Sequence, residues 1–487
     1  MILSTIKKLN KIYKEIQFYY RYIFLLSFLT SLTLSIFEGF FLSVIFNLTN
    51  NLLGNTTQNI NLFGDFFFGF QNINQILIIC AFTVVCITLL KIINIFLNTF
   101  LYYKINTTVS KNIFQKIIFQ NIDFHKNINS SKVISILNEK SKSVGEITFF
   151  LLSILRCMCI LLMITISTIF ISSKEFVFIV IIFFLLYFLI YSILKKKMNN
   201  YGIDIANQND RIIKNIQESL SSIIFILLYK SQKSISNKFY KIVSSLRKSQ
   251  SKVVFFASVP FIFVQTLGFL LIIYLIYLFD LKENFINLIP FLTMGLLAIQ
   301  RLLPNFNEIF SSISTIKALE KNFIDTQNLL DLNIDNENFD KNTSKINFVK
   351  NIRFENVNFS YENNKPVLDT FNLNIKKNTI FGISGGTGSG KSTIVNLMLG
   401  FYRPHSGNIF IDDKILNDSN ASKWQENLSY VPQKVYLIDD TILSNITFED
   451  KVEKINFDLL KNAIKLSELE NFISNQKEGI NHIIGED

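Results

Sequence analysis

The residues in this 487-residue chain best suited to chemistry are Gly385, Gly386, Thr387, Gly388, Ser389, Gly390, Lys391, Ser392 and Thr393. They follow a short apolar run, Thr379–Ser384, that predicts a strand. They precede Ile394–Leu399, which predicts a helix. Strand, glycine-rich loop and helix in that order make a P-loop. Glycines let backbone N–H groups turn inward and cradle phosphate oxygens, and the helix N-terminus adds positive potential. Lys391 is placed for the β- and γ-phosphates, and the Ser392 hydroxyl for Mg²⁺. The spacing therefore predicts nucleotide binding, with a ligand-free glycine turn as the alternative. Tyr361 follows an earlier predicted strand, Ile352–Phe359, where its ring would stack on a base or simply lie on the surface. Gln433 ends another predicted strand, Ser429–Pro432, where its amide would ligate the metal.

A second set of residues is notable because it sits in apolar surroundings. Glu38, Lys91, Arg156 and Arg301 all fall inside long hydrophobic runs. A charge inside a membrane is expensive, so each is a candidate substrate contact. The alternatives are pairing between helices or, for Lys91 and Arg156, snorkelling to an interface.

The elements that must carry these residues follow from composition. Hydrophobic residues make up 49%, charged residues 17%, and Phe alone 50 positions. Soluble domains usually carry about 25% charge, so an ordinary soluble enzyme is excluded. Six runs are long and apolar enough to span a bilayer: Tyr22–Asn47, Ile73–Tyr103, Ile147–Ile171, Phe176–Leu194, Val253–Phe279 and Phe285–Leu303. Lys and Arg number 23 in the N-terminal stretch and the two long loops, against two in the intervening loops. The positive-inside rule therefore predicts a cytoplasmic N-terminus, cytoplasmic long loops and a cytoplasmic C-terminal region. The net charge of +11 is explained by this flanking of apolar runs, and no nucleic-acid partner is expected. Cys80, Cys86, Cys157 and Cys159 lie in apolar runs and read as structural thiols; His125, His405 and His482 are too dispersed for a metal site.

Within the long loops, Ser131–Ser143 and Gln217–Tyr229 show amphipathic spacing. They would dock on another domain or pack only as a hairpin. The loop Leu48–Asn72 is rich in Asn and Thr and ends in an aromatic stretch, Phe63–Phe70, suited to a short interfacial helix or to a loop folded over helix ends. Its two glycosylation-type triplets at Asn47 and Asn55 read as chance in an Asn-rich chain. The organisation predicted is a membrane domain over 1–316, a linker over 317–345 and a second domain over 346–487. The fold class expected is an all-α six-helix transmembrane domain plus an α/β P-loop nucleotide-binding domain, incomplete at its C-terminus.

Together these motifs resemble the ABC exporter half-transporters. Phe359-Ser-Tyr361 resembles the A-loop of that family, Gly385–Thr393 its Walker A, and Val431-Pro-Gln433 its Q-loop. Thr441–Phe448 resembles the stretch after the Q-loop, and the two amphipathic loop segments fall where its coupling helices lie. The resemblance implies ATP and Mg²⁺ as cofactors, bacterial inner-membrane localisation, and a homodimer or a second half-transporter as partner. Phe37-Glu38-Gly39, the aromatic loop, Gln300–Asn307 and Val435–Thr441 are similar to bacterial lipid-linked oligosaccharide flippases. That implies a lipid-linked glycan as substrate, with a peptide, bacteriocin or drug exporter, or a non-transporting ATP-binding membrane protein, as alternatives. The chain departs from the family in lacking the signature motif, Walker B with its glutamate, the D-loop and the switch histidine. A truncated or split transporter that binds ATP without turning it over is the corresponding expectation.

Overall fold

The computed structural model describes residues 18–53, 73–171, 174–278, 285–333, 346–361, 366–433, 435–449 and 452–485. The aromatic stretch Phe63–Phe70 and residues 334–345 of the predicted 317–345 linker lie outside them. The chain divides into two units, 1–335 and 336–487.

The first unit is helical. Long helices α1 (Phe18–Leu52) and α2 (Ile73–Ile118) lead to two short ones, α3 (Ile122–Asn127) and α4 (Ser130–Ser135). They are followed by α5 (Lys142–Ile171), α6 (Lys174–Ser221), short α7 (Ile223–Leu228), α8 (Gln232–Leu278) and α9 (Phe285–Leu330). Five of the six predicted spans fall inside these long helices, and Val253–Phe279 does so as far as residue 278. By length and composition, four helical stretches among the described residues suffice to cross a membrane: Arg21–Leu52, Ile73–Ile118, Ser130–Ile169 and Gln232–Leu267. Most of the helices run well beyond their apolar segments. In α9 the apolar spacing of Ile316, Phe323 and Leu330 continues past the predicted span, so residues 317–330 are helix and bury Phe323, Leu329 and Leu330 rather than forming an exposed linker.

Two apolar clusters hold this unit. One joins Leu34 and Leu42 of α1, Ile87 of α2, Ile160 and Ile164 of α5, and Ala298 and Leu302 of α9. The other joins Ile105 and Ile113 of α2 with Ile136, Ile147, Ile316 and Phe323. Close approach sets the α6–α9 contact: a Cβ on Gly202 would lie 2.5 Å from the Ala318 backbone.

Neither amphipathic loop segment is one continuous helix. Residues 131–143 form α4, then a wider π-helical turn over Ile136–Lys140, closed by Ser141 N–H donating to Ile136 O, before α5 begins. Residues 217–229 span the end of α6 and α7, with the break at Ser222. The π turn carries Lys140, whose side chain is fully buried. Its ammonium donates to Asp210 of α6 at 2.8 Å and to Asp325 of α9 at 2.7 Å. Ser135 also donates to Asp210, and Lys321 pairs with Asp325. Burial pushes the Asp325 carboxyl up, but the bonds and charges of Lys140 and Lys321 outweigh it and hold the group below the ordinary carboxylate range.

The second unit contains a four-stranded antiparallel sheet in the order β2-β1-β3-β4, from β1 (Asn351–Phe359), β2 (Leu368–Lys376), β3 (Ser406–Ile411) and β4 (Lys414–Ile415). Helices α10 (Lys391–Met398) and α11 (Asp418–Gln425) follow their loops, and Trp424 is buried with its indole N–H donating to Met398 O. Beyond them lie β5 (Asp440–Thr441), α12 (Ile442–Thr447), α13 (Phe457–Leu466), α14 (Glu470–Ser474) and β6 (Ile483–Ile484), with β5 and β6 paired. The predicted strands over 379–384 and 429–432 do not form. No described segment pairs with either, and Ile380 and Val431 are open to solvent. An apolar alternation encodes a face to bury, and a ladder forms only where a neighbour supplies it.

Breaking the buried network should be costly in a defined way. Lys140→Ala leaves two carboxylates without their shared cation and should lower stability by about 3 kcal/mol or more, read as a thermal-unfolding shift in detergent. Because the folded Asp325 is more acidic than in the unfolded chain, its contribution is present above the ordinary carboxylate pKa and fades as pH falls through the folded value. Asp325→Asn should therefore destabilise at neutral pH and flatten the acid limb of the stability profile.

Candidate functional site

The glycine loop of the second unit follows the irregular stretch 377–384 after β2 and enters α10. Gly388 and Gly390 sit at φ of 83° and 88°, a left-handed conformation that side chains resist. At Gly390 an added Cβ would also press on Val367 and Leu368 at 3.3 Å. Lys391, the first residue of α10, lies back across the loop and donates to Gly385 O at 2.8 Å and Gly386 O at 2.7 Å. Its ammonium is thus held over the ring of backbone where anionic oxygens would sit. Thr393 is buried and shares a hydrogen bond of 3.2 Å with the Tyr361 hydroxyl. The half-buried Tyr361 ring meets Phe359 and Tyr402 edge-on at 5.0 and 5.4 Å. Phe359 in turn stacks on His405, whose ring nitrogen meets the Ser360 hydroxyl at 3.0 Å. Tyr361 is therefore anchored in an aromatic cluster, of which sequence reasoning missed Tyr402 and His405. Ser392 and Gln433 are exposed. Asp412 is a turn residue accepting from the N–H groups of Val349, Lys350 and Asn351. Although burial opposes it, these three donors lower its pKa.

The charges of the first unit form two linked groups. Glu38 of α1 is 2% exposed and places one oxygen, Oε1, against both Lys91 of α2 at 2.6 Å and Arg301 of α9 at 3.2 Å. Its other oxygen is buried without a hydrogen-bond partner among the described residues. The Arg301 guanidinium also lies over the Phe41 ring, 5.1 Å from its centre. These three charged groups line a cavity of about 420 Å³ with Gln300, Pro304 and Asn305. Two cations against one anion leave it net positive.

Arg156 of α5 does not join this cluster. It pairs with Glu308 of α9 and donates to Asn94 Oδ1 at 3.3 Å. The Asn94 amide donates to Ser27 O, Thr30 Oγ1 and Ser31 Oγ of α1, and its oxygen also accepts from Asn98. Both asparagines are buried. Sequence reasoning missed them because they are uncharged, although their i, i+4 spacing in an apolar run marks a helix face that demands partners. Glu308 was missed because it lies beyond the predicted end of the sixth span.

The transmembrane region of ABC transporters matches residues 20–279, more than half of the chain, and the ABC transporter ATP-binding domain matches residues 368–479. The chain belongs to the ABC transporter family and carries both its transmembrane and its ATP-binding domains. Its fold is that of an ABC exporter: a bacterial Atm1-family ABC exporter with ATP bound superposes with a TM-score of 0.76 at 16% identity, covering 96% of this chain and 80% of that one. The ATP-dependent lipid A-core flippase of Wigglesworthia glossinidia brevipalpis is 26% identical over 302 residues, 58% of this chain and 50% of that protein. The protein of the same name from Blochmanniella floridana is 38% identical over 152 residues, 30% of this chain and 26% of that protein. The chain thus spans half the length or less of these relatives.

Asn94 is the hub on which α1, α2 and α5 meet. Asn94→Leu removes one donor group and one acceptor at once, and should lower stability by about 2 kcal/mol, with Arg156 left to Glu308 alone. Thermal unfolding in detergent checks the loss.

Proposed function

We propose that this chain is a subunit of an ATP-driven transporter that moves a lipid-linked oligosaccharide across the bacterial cytoplasmic membrane. The observation that carries the reading is the net-positive cavity in the helical bundle, borne on the same chain as the P-loop. An amphiphile with a long tail can leave the tail in lipid, so the protein need shelter only the polar head. Lys91 and Arg301 suit a phosphate or pyrophosphate, since guanidinium holds phosphate oxygens bidentately. Arg156 serves more remotely, through Asn94 and Glu308. The names of the flippase relatives agree with a lipid cargo. The aromatic stretch Phe63–Phe70 would guide the tail at the outer leaflet.

In the second unit, the loop from Gly385 to Thr393 would hold the phosphates of ATP, with Lys391 at the β- and γ-phosphates. Tyr361 would flank the base, and Ser392 and Gln433 would hold Mg²⁺. The left-handed glycines support this fit, because they free the loop amides to face an anion. A second ABC half-transporter, identical or not, would complete the assembly. Residues 131–143 and 217–229 would transmit the nucleotide-driven movement from the cytoplasmic side.

Two variants of the full chain in detergent separate the two sites. Lys391→Ala should abolish binding of a fluorescent ATP analogue and leave lipid-linked glycan binding intact. Arg301→Ala should weaken binding of the glycan lipid by about tenfold and leave the ATP analogue unaffected. A chain that binds the ATP analogue but no glycan lipid would favour a peptide or drug exporter.

A further inference from the structure

The lipid reading of the cavity leaves one feature unexplained: the site meant for an anion has a carboxylate in its wall. Glu38 is nearly inaccessible at 2%, whereas Lys91 and Arg301 are 41% and 29% exposed. An anion entering the cavity therefore meets the two cations first. Both of them already donate to the same oxygen, Glu38 Oε1, and Oε2 has no donor. Lys91 and Arg301 each carry more N–H donors than the one given to Glu38, so a phosphate can bond to both without taking those away. Its charge nevertheless faces that of Glu38 across the same cavity, and it brings no donor for the buried Oε2. A head that also brings hydroxyls can offer an O–H donor to that unused oxygen.

We propose that Glu38 is a specificity-determining residue, and that this cavity selects lipid heads in which a phosphate has hydroxyl donors beside it while rejecting phosphodiesters that bring none. The sugar next to the phosphate would be the part recognised. This rests on the lipid-linked glycan reading above and extends it, because it explains how a basic cavity in a bilayer could pass over donor-poor phospholipids that offer the same charge. A site built to bond a hydroxyl discriminates strongly against the analogue that lacks it, since its own polar group is then left unpaired.

The test uses the full chain in detergent and native mass spectrometry with two probes. One is a polyprenyl phosphate carrying a single hexose. The other is the methyl ester of the same polyprenyl phosphate, which has the same tail and charge but no hydroxyl. The parental chain should prefer the hexose lipid by about tenfold or more. Glu38→Gln should bind the methyl ester more tightly and lose the preference. Glu38→Asp retains the charge and should keep the preference, which separates recognition from a general folding defect. Equal binding of both probes by the parental chain, or an unchanged preference in Glu38→Gln, overturns the proposal and leaves the lipid reading standing. Binding of neither probe overturns the lipid reading and this proposal with it.

Discussion

One carboxylate oxygen, Glu38 Oε1, ties together three helices that are far apart in sequence. It takes Lys91 from α2 and Arg301 from α9 while riding on α1. In a low-dielectric bundle none of these charges can be left alone, so the three helices must meet at this level. A few turns along, Arg156 and Glu308 repeat the constraint between α5 and α9, and Asn94 links that pair back to α1. The apolar clusters supply most of the buried area around these points. They do not by themselves fix a register, because one aliphatic side chain packs against lipid or helix about as well as another. The polar contacts do, and they leave the cavity with one cation more than its anions.

Between α2 and α5 the same logic is applied by a lysine. Lys140 holds Asp210 and Asp325, so the segment between α2 and α5 is fixed to α6 and α9 at once. Here the charges balance when Lys321 is included. The cluster is thus neutral, whereas the one at Glu38 carries an excess positive charge and lines a cavity.

Much of this was legible before any coordinates. The apolar runs gave the long helices, because a bilayer admits few other backbones. The glycine spacing marked a left-handed turn into a helix, and charges embedded among Phe, Ile and Leu marked Glu38, Lys91 and Arg301, which the structure brings together. Which cation would pair with which anion was not legible, since pairing depends on helix rotation that one periodic stripe does not fix. Asn94 and Asn98 escaped notice for want of charge, and Glu308 because the apolar run ends before the helix does. The segment 379–384 erred the other way: it has a strand's composition, but the described residues give it no ladder partner, and Ile380 stands in solvent. Local pattern specifies what a segment would bury, whereas pairing is decided by the rest of the sheet.

The π turn over Ile136–Lys140 decides how this region would respond to a change in chain length. A π turn holds one more residue than an α turn, and here the turn carries Lys140 between two carboxylates. Deleting a single residue between 136 and 140 would let the chain close into plain α-helix with its two flanks still nearly in phase, because the extra residue of a π turn is absorbed within the turn itself. α5 would keep its face toward α1, and Arg156 its place beside Glu308. The cost would fall on Lys140 alone, whose reach to Asp210 and Asp325 is set inside the turn. A shortened turn would therefore trade one buried ion cluster for a regular helix and leave the bundle beyond it standing.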